Sequence, residues 1–371
     1  MTVYAGARVV TPGGVLDRGW VSVEDGRIAA VGADAPPAGA HQLSGGWLLP
    51  GFIDVHVHGG GGFDVTKSCA DMRAAVEFHR RHGTTRTLVS LMAAPVDALC
   101  EQLGWVRDLV HDGLVFGAHL EGPFLSAARC GAQNHAHVLD PDPLVLAKLI
   151  DAAQGCLRQM TIAAELPGAL DLVRELVAAG VIAAIGHTDA TYEQASAAFA
   201  AGARLATHLF NAMGPISHRA PGAAIAALDS DTILELINDG VHVHEGLVRV
   251  VTNAAPDRVV LVTDAVSAAG AGDGCYTLGD RDVVVQDGEA RLSGSTSLAG
   301  STLTMDEAVR RLVREVGLPI TTAAVAAAAT PARLLGIEDL CGSIAAGLDA
   351  DLVHLDDDLA VAAVMSRGAW L

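Results

Sequence analysis

The pattern of apolar and polar positions changes twice along the chain. Roughly the first 48 residues contain short β-type segments separated by glycine or Asp-Gly turns, such as VYAGARVV, GWVSVEDG and RIAAVG. Roughly the last 35 residues have the same character, in DADLVHLD and LAVAAVMSRGAWL. Between the two ends, short apolar runs alternate with helix-like segments. This alternation is typical of a parallel sheet built from βα units.

Eight apolar runs occur in the central region, which is the number that a (β/α)8 barrel requires. We therefore expect an α/β fold, with a (β/α)8 TIM-like barrel over residues 50–336. Both chain ends, residues 1–49 and 337–371, are expected to pair into one small β-sandwich domain. The eight runs are Phe52–His58, Thr85–Leu91, Phe116–Glu121, Met160–Glu165, Ile182–His187, Arg204–His208, Ile233–Asp239 and Val259–Asp264.

The composition narrows the class of protein. The 371 residues include 24 Lys and Arg against 43 Asp and Glu, a formal net charge of −19, and 51% are hydrophobic. Such a chain can bury a large core, which excludes disorder, and its acidity argues against a nucleic-acid partner. No run of roughly 18 apolar residues predicts a membrane span. The scattered cysteines form no CxxC pair and no secretory leader is apparent, so we expect a cytoplasmic protein with reduced thiols.

Potential metal ligands stand where several of the apolar runs end. In such a barrel the carboxyl ends of the strands meet at one mouth, where active sites lie. Alternation along a strand also places both histidines of the H-x-H pair in the first run on one face. Each residue alone has an ordinary structural explanation, but the repetition over several runs favours a metal site. The candidates are His56, His58, Glu121, His187, His208 and Asp264.

These residue types suit hydrolysis assisted by a divalent metal. Histidine nitrogens and carboxylate oxygens favour zinc, and they also accept iron, manganese, cobalt or nickel. One or two ions per subunit fit the pattern, one at the H-x-H pair and one at His187 and His208, with Glu121 as the bridge. Metal coordination lowers the pKa of water to about 7. Asp264 is the candidate general base and then general acid.

A series of motifs resembles one enzyme family. PGFIDVHVHGGGG, HLEGPF, GHTDAT, ATHLFNAM and LVTDA, in this order, look like the N-acetylglucosamine-6-phosphate deacetylases of the amidohydrolase superfamily. LAGSTLTM and the tail, TPARLLG followed by GSIAAGLDADLVHLD, fit as well. The resemblance therefore covers nearly the whole chain. HLEGPF together with HLFNAM is specific for this family, whereas H-x-H and ADLVHLD indicate only the superfamily.

The resemblance implies roles for individual residues. It implies that Glu121, His187 and His208 are metal ligands and that Asp264 is the catalytic aspartate. Arg219 matches the family's phosphate-binding arginine, in a homodimer where this contact can cross the subunit boundary. Substrate contacts are implied for Asn211, Ala212, His242, Leu298, Ala299 and Gly300.

Two features vary within this family or depart from its pattern. His56 and His58 stand where some members have Gln and Asn. Those members are expected to hold one metal, whereas this chain has the ligands for two. In the lid segment RCGAQNHAH, Gln133 replaces a histidine that faces the substrate in many members. A glutamine still donates hydrogen bonds, so Gln133 remains a candidate substrate contact.

The predicted reaction is hydrolysis of the acetamide of N-acetyl-D-glucosamine 6-phosphate to glucosamine 6-phosphate and acetate. The expected partner is therefore a phosphorylated amino sugar, with neither nucleic acid nor membrane. One alternative is a related deacetylase that acts on N-acetylgalactosamine 6-phosphate or on an N-acyl amino acid. A second alternative is a non-catalytic assembly protein that keeps the barrel, although none of the proposed ligands is missing here.

Overall fold

A computed structural model describes the whole chain, residues 1–371. The strands are β1 (Thr2–Ala5), β2 (Arg8–Thr11), β3 (Gly14–Leu16), β4 (Trp20–Glu24), β5 (Arg27–Gly32), β6 (His41–Gln42), β7 (Trp47–Pro50), β8 (Phe52–Val57), β9 (Gly59–Gly60), β10 (Phe63–Asp64), β11 (Thr84–Met92), β12 (Gly117–Glu121), β13 (Leu157–Ile162), β14 (Ile182–Ile185), β15 (Leu205–Ala206), β16 (Ile233–Ile237), β17 (Val259–Val262), β18 (Gly274–Leu278), β19 (Arg281–Gln286), β20 (Glu289–Leu292), β21 (Leu352–Leu355), β22 (Val361–Ser366) and β23 (Ala369–Trp370).

The α-helices are α1 (Cys69–Arg81), α2 (Val96–His111), α3 (Pro143–Ala153), α4 (Ala169–Ala178), α5 (Tyr192–Ala200), α6 (Gly222–Leu228), α7 (Glu245–Ala254), α8 (Met305–Arg314), α9 (Ile320–Ala324) and α10 (Thr330–Leu335). Two 3-10 turns, Ala127–Arg129 and His135–His137, follow β12, and a π-helical turn, Val325–Ala329, joins α9 to α10. None of the helices combines the length and the apolar character that crossing a membrane requires.

The central region forms the predicted parallel barrel. Its strand order is β17-β16-β15-β14-β13-β12-β11-β8, and a parallel bridge between Val57 and Ala265 joins the two edges. Nearly every residue of these strands is buried. This explains why they read as continuous apolar runs, since one face of each strand fills the barrel interior and the other is covered by helices.

The observed strands are shorter than the predicted runs where a candidate ligand ends the run. His187, His208 and Asp264 each lie two residues beyond the end of their strand. All three have a positive φ, of 46°, 28° and 47° respectively. A left-handed residue turns the chain out of the extended conformation, so the strand ends before the ligand.

The two chain ends together form two sheets, as expected, and the C-terminal strands belong to the second of them. One sheet has the order β5-β4-β1-β6, and the other has the order β23-β22-β21-β7-β2-β3. Val21 and Ile28 of the first sheet share one apolar cluster with Leu48, Leu352 and Met365 of the second. The C-terminal strands β21 and β22 therefore complete a core that the N-terminal strands begin.

A third small sheet was not predicted. Strands β18, β19 and β20 form an antiparallel meander after the last barrel strand. Its signal is visible in the sequence, because RDVVVQ alternates exposed and buried positions and the Asp287-Gly288 pair makes a tight turn to β20. The meander packs Leu278, Val283 and Val285 into an apolar cluster together with Ala299.

The density of contacts divides the chain into two compact units. One unit comprises residues 1–54, 77–86 and 304–371, and the other comprises residues 55–76 and 87–303. The candidate ligands all belong to the second unit. The domain boundaries drawn from the sequence, 1–49 with 337–371 and 50–336, stay a prediction.

An ion pair supports the first unit from within. Arg86 Nη2 lies 2.6 Å from Asp349 Oδ2 and 2.8 Å from Asp351 Oδ2. The Arg86 side chain is 9% exposed and that of Asp351 only 2%. Burial raises the pKa of Asp351, although the charge of Arg86 opposes the shift. Asp351 therefore depends on this cation in a place where water cannot replace it.

We expect the substitution Arg86→Ala to lower the free energy of unfolding by about 3 kcal/mol, because it leaves the Asp351 carboxylate buried without its partner. The measurement is equilibrium unfolding in urea. Arg73→Ala is the control, since Arg73 pairs with Asp112 across an exposed surface. That change should cost less than about 1 kcal/mol. Equal losses for the two variants would contradict the structural role of Arg86.

Candidate active site

The barrel brings the six predicted ligand and catalytic residues together at the carboxyl ends of its strands. His56 lies on β8 and Glu121 at the end of β12, and the other four follow β8, β14, β15 and β17 within two residues. All six side chains are buried. The parallel arrangement thus gathers residues separated by more than 200 positions at a single mouth.

One group of donors consists of Glu121, His187 and His208. Glu121 Oε1 lies 2.9 Å from His187 Nε2 and 3.0 Å from His208 Nε2, and the two nitrogens are 3.1 Å apart. Donor atoms around a tetrahedral zinc ion lie roughly 3.3–3.6 Å apart, since each bond is about 2.0–2.2 Å long. The three atoms therefore match the face of a metal site to within a few tenths of an ångström.

A second group consists of His56, His58 and the same Glu121. The two Nε2 atoms of the histidines are 3.1 Å apart. They lie 3.4 Å from Oε1 and 3.3 Å from Oε2 of Glu121, respectively. Asp264 Oδ1 is 3.5 Å from His56 Nε2 and 3.3 Å from His58 Nε2. One carboxylate thus belongs to both groups, and Asp264 lies beside the second.

Hydrogen bonds at the far side of three rings show that these residues fit a cation. Nδ1 of His58 and Nδ1 of His187 donate to the carbonyl oxygens of Ser90 and Arg129, at 3.1 and 2.9 Å. Nδ1 of His56 donates to a carboxylate at 3.0 Å. A neutral imidazole has only one N–H, so Nε2 of each ring presents a lone pair to Glu121. Lone pairs and a carboxylate at this distance repel each other unless a proton or a metal ion lies between them.

The pKa shifts of these histidines and carboxylates also indicate that positive charge is stabilised in the site. Burial alone lowers the pKa of His58, but hydrogen bonds to Asp264 and Glu121 outweigh it and raise the pKa to about 9. The pKa of His56 is likewise raised by Asp264 and Glu121 against the effect of burial. The pKa of Glu121 is held well below its usual range by His187 and His56, although burial opposes this. A divalent cation would balance the negative charge of these carboxylates, as protons on the histidine rings do.

The backbone at three of these residues is strained. His187, His208 and Asp264 have the positive φ angles that favour glycine. Ala212, which follows His208 in the HLFNAM motif, has a φ of 50°. Such residues persist only where the surrounding structure holds them, and they concentrate at functional sites.

A buried glutamate that the sequence analysis missed contacts this centre. Glu235 lies in the middle of β16 and is fully buried. Its Oε2 accepts hydrogen bonds from His56 Nδ1 and from the backbone N–H of His208, both at 3.0 Å, and its Oε1 accepts one from Gln159 Nε2 at 2.9 Å. The signal was a charged residue within the apolar strand ILELI, a position where an unpaired carboxylate is costly.

A cavity of about 270 Å³ opens above the donor groups. His56 is buried beside His58 and does not line it. The predicted residues that line the cavity are His58, Glu121, Gln133, His187, His208, Asn211, Ala212, His242, Asp264, Leu298 and Gly300.

Gln133 lies in the wall of this cavity, but both ends of its amide group bond to the protein. Nε2 donates to Glu121 Oε2 at 2.6 Å, and Oε1 accepts from the backbone N–H of Ala93 at 2.8 Å. Gln133 is buried. The side chain that was predicted to contact the substrate therefore ties the loop to a metal-ligand candidate in this structure.

His242 is held by a carboxylate that the sequence analysis did not single out. His242 Nδ1 donates to Asp239 Oδ2 at 2.6 Å. The backbone N–H groups of Val241 and His242 donate to the other oxygen of Asp239. Burial lowers the pKa of His242, but the bond to Asp239 outweighs it and raises the pKa. The imidazole at the cavity wall is thereby kept in one orientation.

Two of the predicted substrate contacts do not line the cavity. Arg219 is exposed, within the exposed segment 215–220, where Ser217 and Ala220 form a tight turn. Ala299 is fully buried and packs with Leu278 and Val266 in the apolar cluster of the meander, while its neighbours Leu298 and Gly300 face the cavity.

Comparisons with known proteins identify the family of this chain. A model of the amidohydrolase family matches residues 47–371. The chain is 35% identical to N-acetylglucosamine-6-phosphate deacetylase from Homo sapiens over 97% of this chain and 90% of that protein. It is 36% identical to N-acetylgalactosamine-6-phosphate deacetylase from Escherichia coli O157:H7 over 99% and 98% of the two chains.

Solved structures of deacetylases resemble this chain over its full length. N-acetyl-D-glucosamine-6-phosphate deacetylase from Mycobacterium smegmatis superposes with a TM-score of 0.96 and 44% identity, covering 100% of both chains. A variant of that enzyme was solved in complex with N-acetyl-D-glucosamine-6-phosphate, also with a TM-score of 0.96. The enzyme from Thermotoga maritima gives a TM-score of 0.90 at 33% identity, covering 100% of this chain and 99% of that one.

The fold and the site define a metal-binding hydrolase of the barrel type, and the chain belongs to the amidohydrolase family. Within this family the relatives named above are deacetylases of N-acetylated amino sugar phosphates. The resemblance seen in the motifs is thereby confirmed.

Proposed function

We propose that this protein hydrolyses the acetamide of N-acetyl-D-glucosamine 6-phosphate, releasing acetate and glucosamine 6-phosphate. The observation that carries the proposal is that a single cavity is lined both by the donor group Glu121, His187 and His208 and by Asp264. Hydrolysis of an amide needs an electrophilic centre and a proton carrier side by side. The similarity over the full length to glucosamine-type deacetylases supports the choice of sugar.

Glu121, His187 and His208 would hold one divalent ion, and His56, His58 and the shared Glu121 a second. We favour zinc, while iron, manganese, cobalt or nickel suit the same ligands. When bound, the metal supplies Lewis acidity for the amide carbonyl and lowers the pKa of water.

Asp264 moves the proton in this proposal. Its pKa is lowered by His56 and His58, although burial opposes this, so the group is a carboxylate ready to accept a proton. Its Oδ1 takes the proton from the attacking water and later gives it to the amine nitrogen that leaves. Because Asp239 holds His242 Nδ1, the other ring nitrogen, Nε2, is the atom that forms a hydrogen bond with the substrate at the cavity wall. Asn211 and the backbone of Leu298 and Gly300 position the sugar.

Arg219 would bind the phosphate from a second copy of the chain. Its exposed position outside the cavity of its own subunit supports a contact that crosses the interface of a homodimer. The bidentate guanidinium suits a phosphate group. We place this homodimer in the cytoplasm.

The related galactosamine substrate is a second candidate, favoured by the similarity to the Escherichia coli enzyme. The two sugars differ at one hydroxyl group, so a comparison of rates separates the proposals.

The first experiment is acetate release from N-acetylglucosamine 6-phosphate, from its galactosamine isomer and from the unphosphorylated sugar. We expect turnover that depends on the phosphate and is lost with a chelator, because the donor groups need a cation and substrate binding needs the anion. A higher kcat/KM for the galactosamine isomer would reassign the substrate. The absence of turnover with all three sugars, in protein shown to contain metal, would refute the proposal.

The substitution Asp264→Asn should lower kcat by a factor of about 10³ or more, because the amide cannot carry the proton. Metal content and melting temperature should stay close to the wild-type values. The matched control is Asp112→Asn, which changes an exposed carboxylate that does not line the cavity and should leave kcat unchanged. A wild-type kcat in the Asp264 variant would show that Asp264 does not transfer the proton.

Arg219→Ala should raise KM for the phosphorylated sugar about 10- to 100-fold, since a charged hydrogen bond contributes about 1.5–3 kcal/mol. The rate with the unphosphorylated sugar should not change. The control is Arg174→Ala, which removes another exposed arginine.

Co-expression of the Arg219→Ala and Asp264→Asn chains tests whether the contact crosses the subunit interface. A mixed dimer has one site with both an intact Asp264 and an Arg219 from its partner, so the low KM should return in part. If KM in the mixed dimer stays as high as in the Arg219→Ala protein, the contact does not cross the interface.

A further inference from the structure

The Glu235 side chain lies between the two donor groups, on the side away from the cavity. It is fully buried, and its two oxygens accept hydrogen bonds from three N–H donors. One donor is the ring of His56 in the H-x-H group. A second is the backbone N–H of His208 in the other group. Glu235 therefore contacts both groups without itself belonging to either.

Burying a carboxylate in this place lowers the stability of the fold, so its presence points to a role that a neutral residue cannot fill. Removing it from water has a large free-energy cost, which only good hydrogen bonds offset. The Glu235 carboxylate has N–H donors on both of its oxygens, as a carboxylate requires. A glutamine of the same shape has only one acceptor oxygen, so its NH2 group would face an N–H donor on one side. The surroundings are therefore specific for a carboxylate rather than for a polar side chain of that size.

Gln159 points to the same conclusion. Its NH2 group donates to Glu235, and its own oxygen Oε1 is buried without a hydrogen-bond partner. A buried acceptor without a partner lowers the stability of the fold. The Gln159 amide is nevertheless oriented with its NH2 group toward the Glu235 carboxylate and its oxygen unpaired.

The contact with His56 has a direct consequence for metal binding. Because a carboxylate only accepts hydrogen bonds, His56 Nδ1 must carry the proton and Nε2 must present its lone pair toward His58 Nε2 and Glu121. Partners of this kind on the far nitrogen orient a metal-ligating histidine and raise its basicity. His58 has only the carbonyl oxygen of Ser90 in the same role, so Glu235 is the charged partner in this group.

We propose that Glu235 is the positioning residue of the H-x-H metal position: it holds His56 in the tautomer and orientation that let this chain retain a second metal ion. The proposal rests on the two-metal site proposed above. Glu235 contacts no substrate and is not a catalytic residue. The Glu121, His187 and His208 position depends on it less, because there Glu235 contacts only the backbone of His208.

The experiment measures zinc retention rather than activity. Purified zinc-loaded protein is dialysed against increasing concentrations of a chelator, and zinc per chain is determined by elemental analysis. We expect the wild type to lose its zinc in two steps, one ion per step. In Glu235→Gln one of these steps should shift to at least about tenfold lower chelator concentration, while the other ion is retained as in the wild type. Glu235→Asp keeps the charge and both acceptor oxygens, so it should recover part of the loss.

Thr252→Val is the control for a general loss of stability, because it removes a fully buried hydroxyl that bonds only within α7. It should lower the melting temperature without changing zinc retention. If Glu235→Gln does not fold, weakened retention of one ion in Glu235→Asp still supports the proposal. Wild-type retention in both Glu235 variants would overturn it, and so would a wild type that holds a single ion. Acetate release by the wild-type enzyme is measured separately. If it occurs while zinc retention contradicts the role of Glu235, the proposal for Glu235 fails and the proposed function stands.

Discussion

The carboxylate of Glu121 is the group on which the site depends. Four imidazole nitrogens lie within 3.4 Å of its two oxygens, at the buried floor of the cavity. Charge of one sign must be balanced there by charge of the other, since burial multiplies the cost of an unpaired ion. Divalent cations would balance the charge of both donor groups. The two groups lie close together because they share the Glu121 carboxylate.

The barrel supplies the rigidity that this crowding requires. Its strands are buried on both faces, so the residues at their ends have few alternative positions. The left-handed turns at His187, His208 and Asp264 are held by contacts from behind, among them the bond from the His208 backbone to Glu235. Strain of this kind is expected where function rather than stability selects the conformation.

The substrate end of the cavity is built differently from the metal end. Gln133 ties the loop after β12 to Glu121, and Asp239 fixes His242, so these two wall residues are oriented before any ligand arrives. Arg219 lies instead on an exposed segment. In the proposed function, the rigid mouth of one chain recognises the reacting amide, whereas recognition of the phosphate depends on assembly.

The barrel, the sheets of the two chain ends and the six residues at the mouth could be predicted from the sequence, because burial on both faces leaves continuous apolar runs whose ends carry the polar residues. It did not reveal Glu235 or Asp239 as partners, nor that the amide of Gln133 bonds to Glu121. Hydrogen bonds between distant strands leave no local pattern, since each partner is an ordinary polar residue in its own segment. Which buried groups meet depends on the folded arrangement, because strand register and the left-handed turns set distances that no spacing along the chain records.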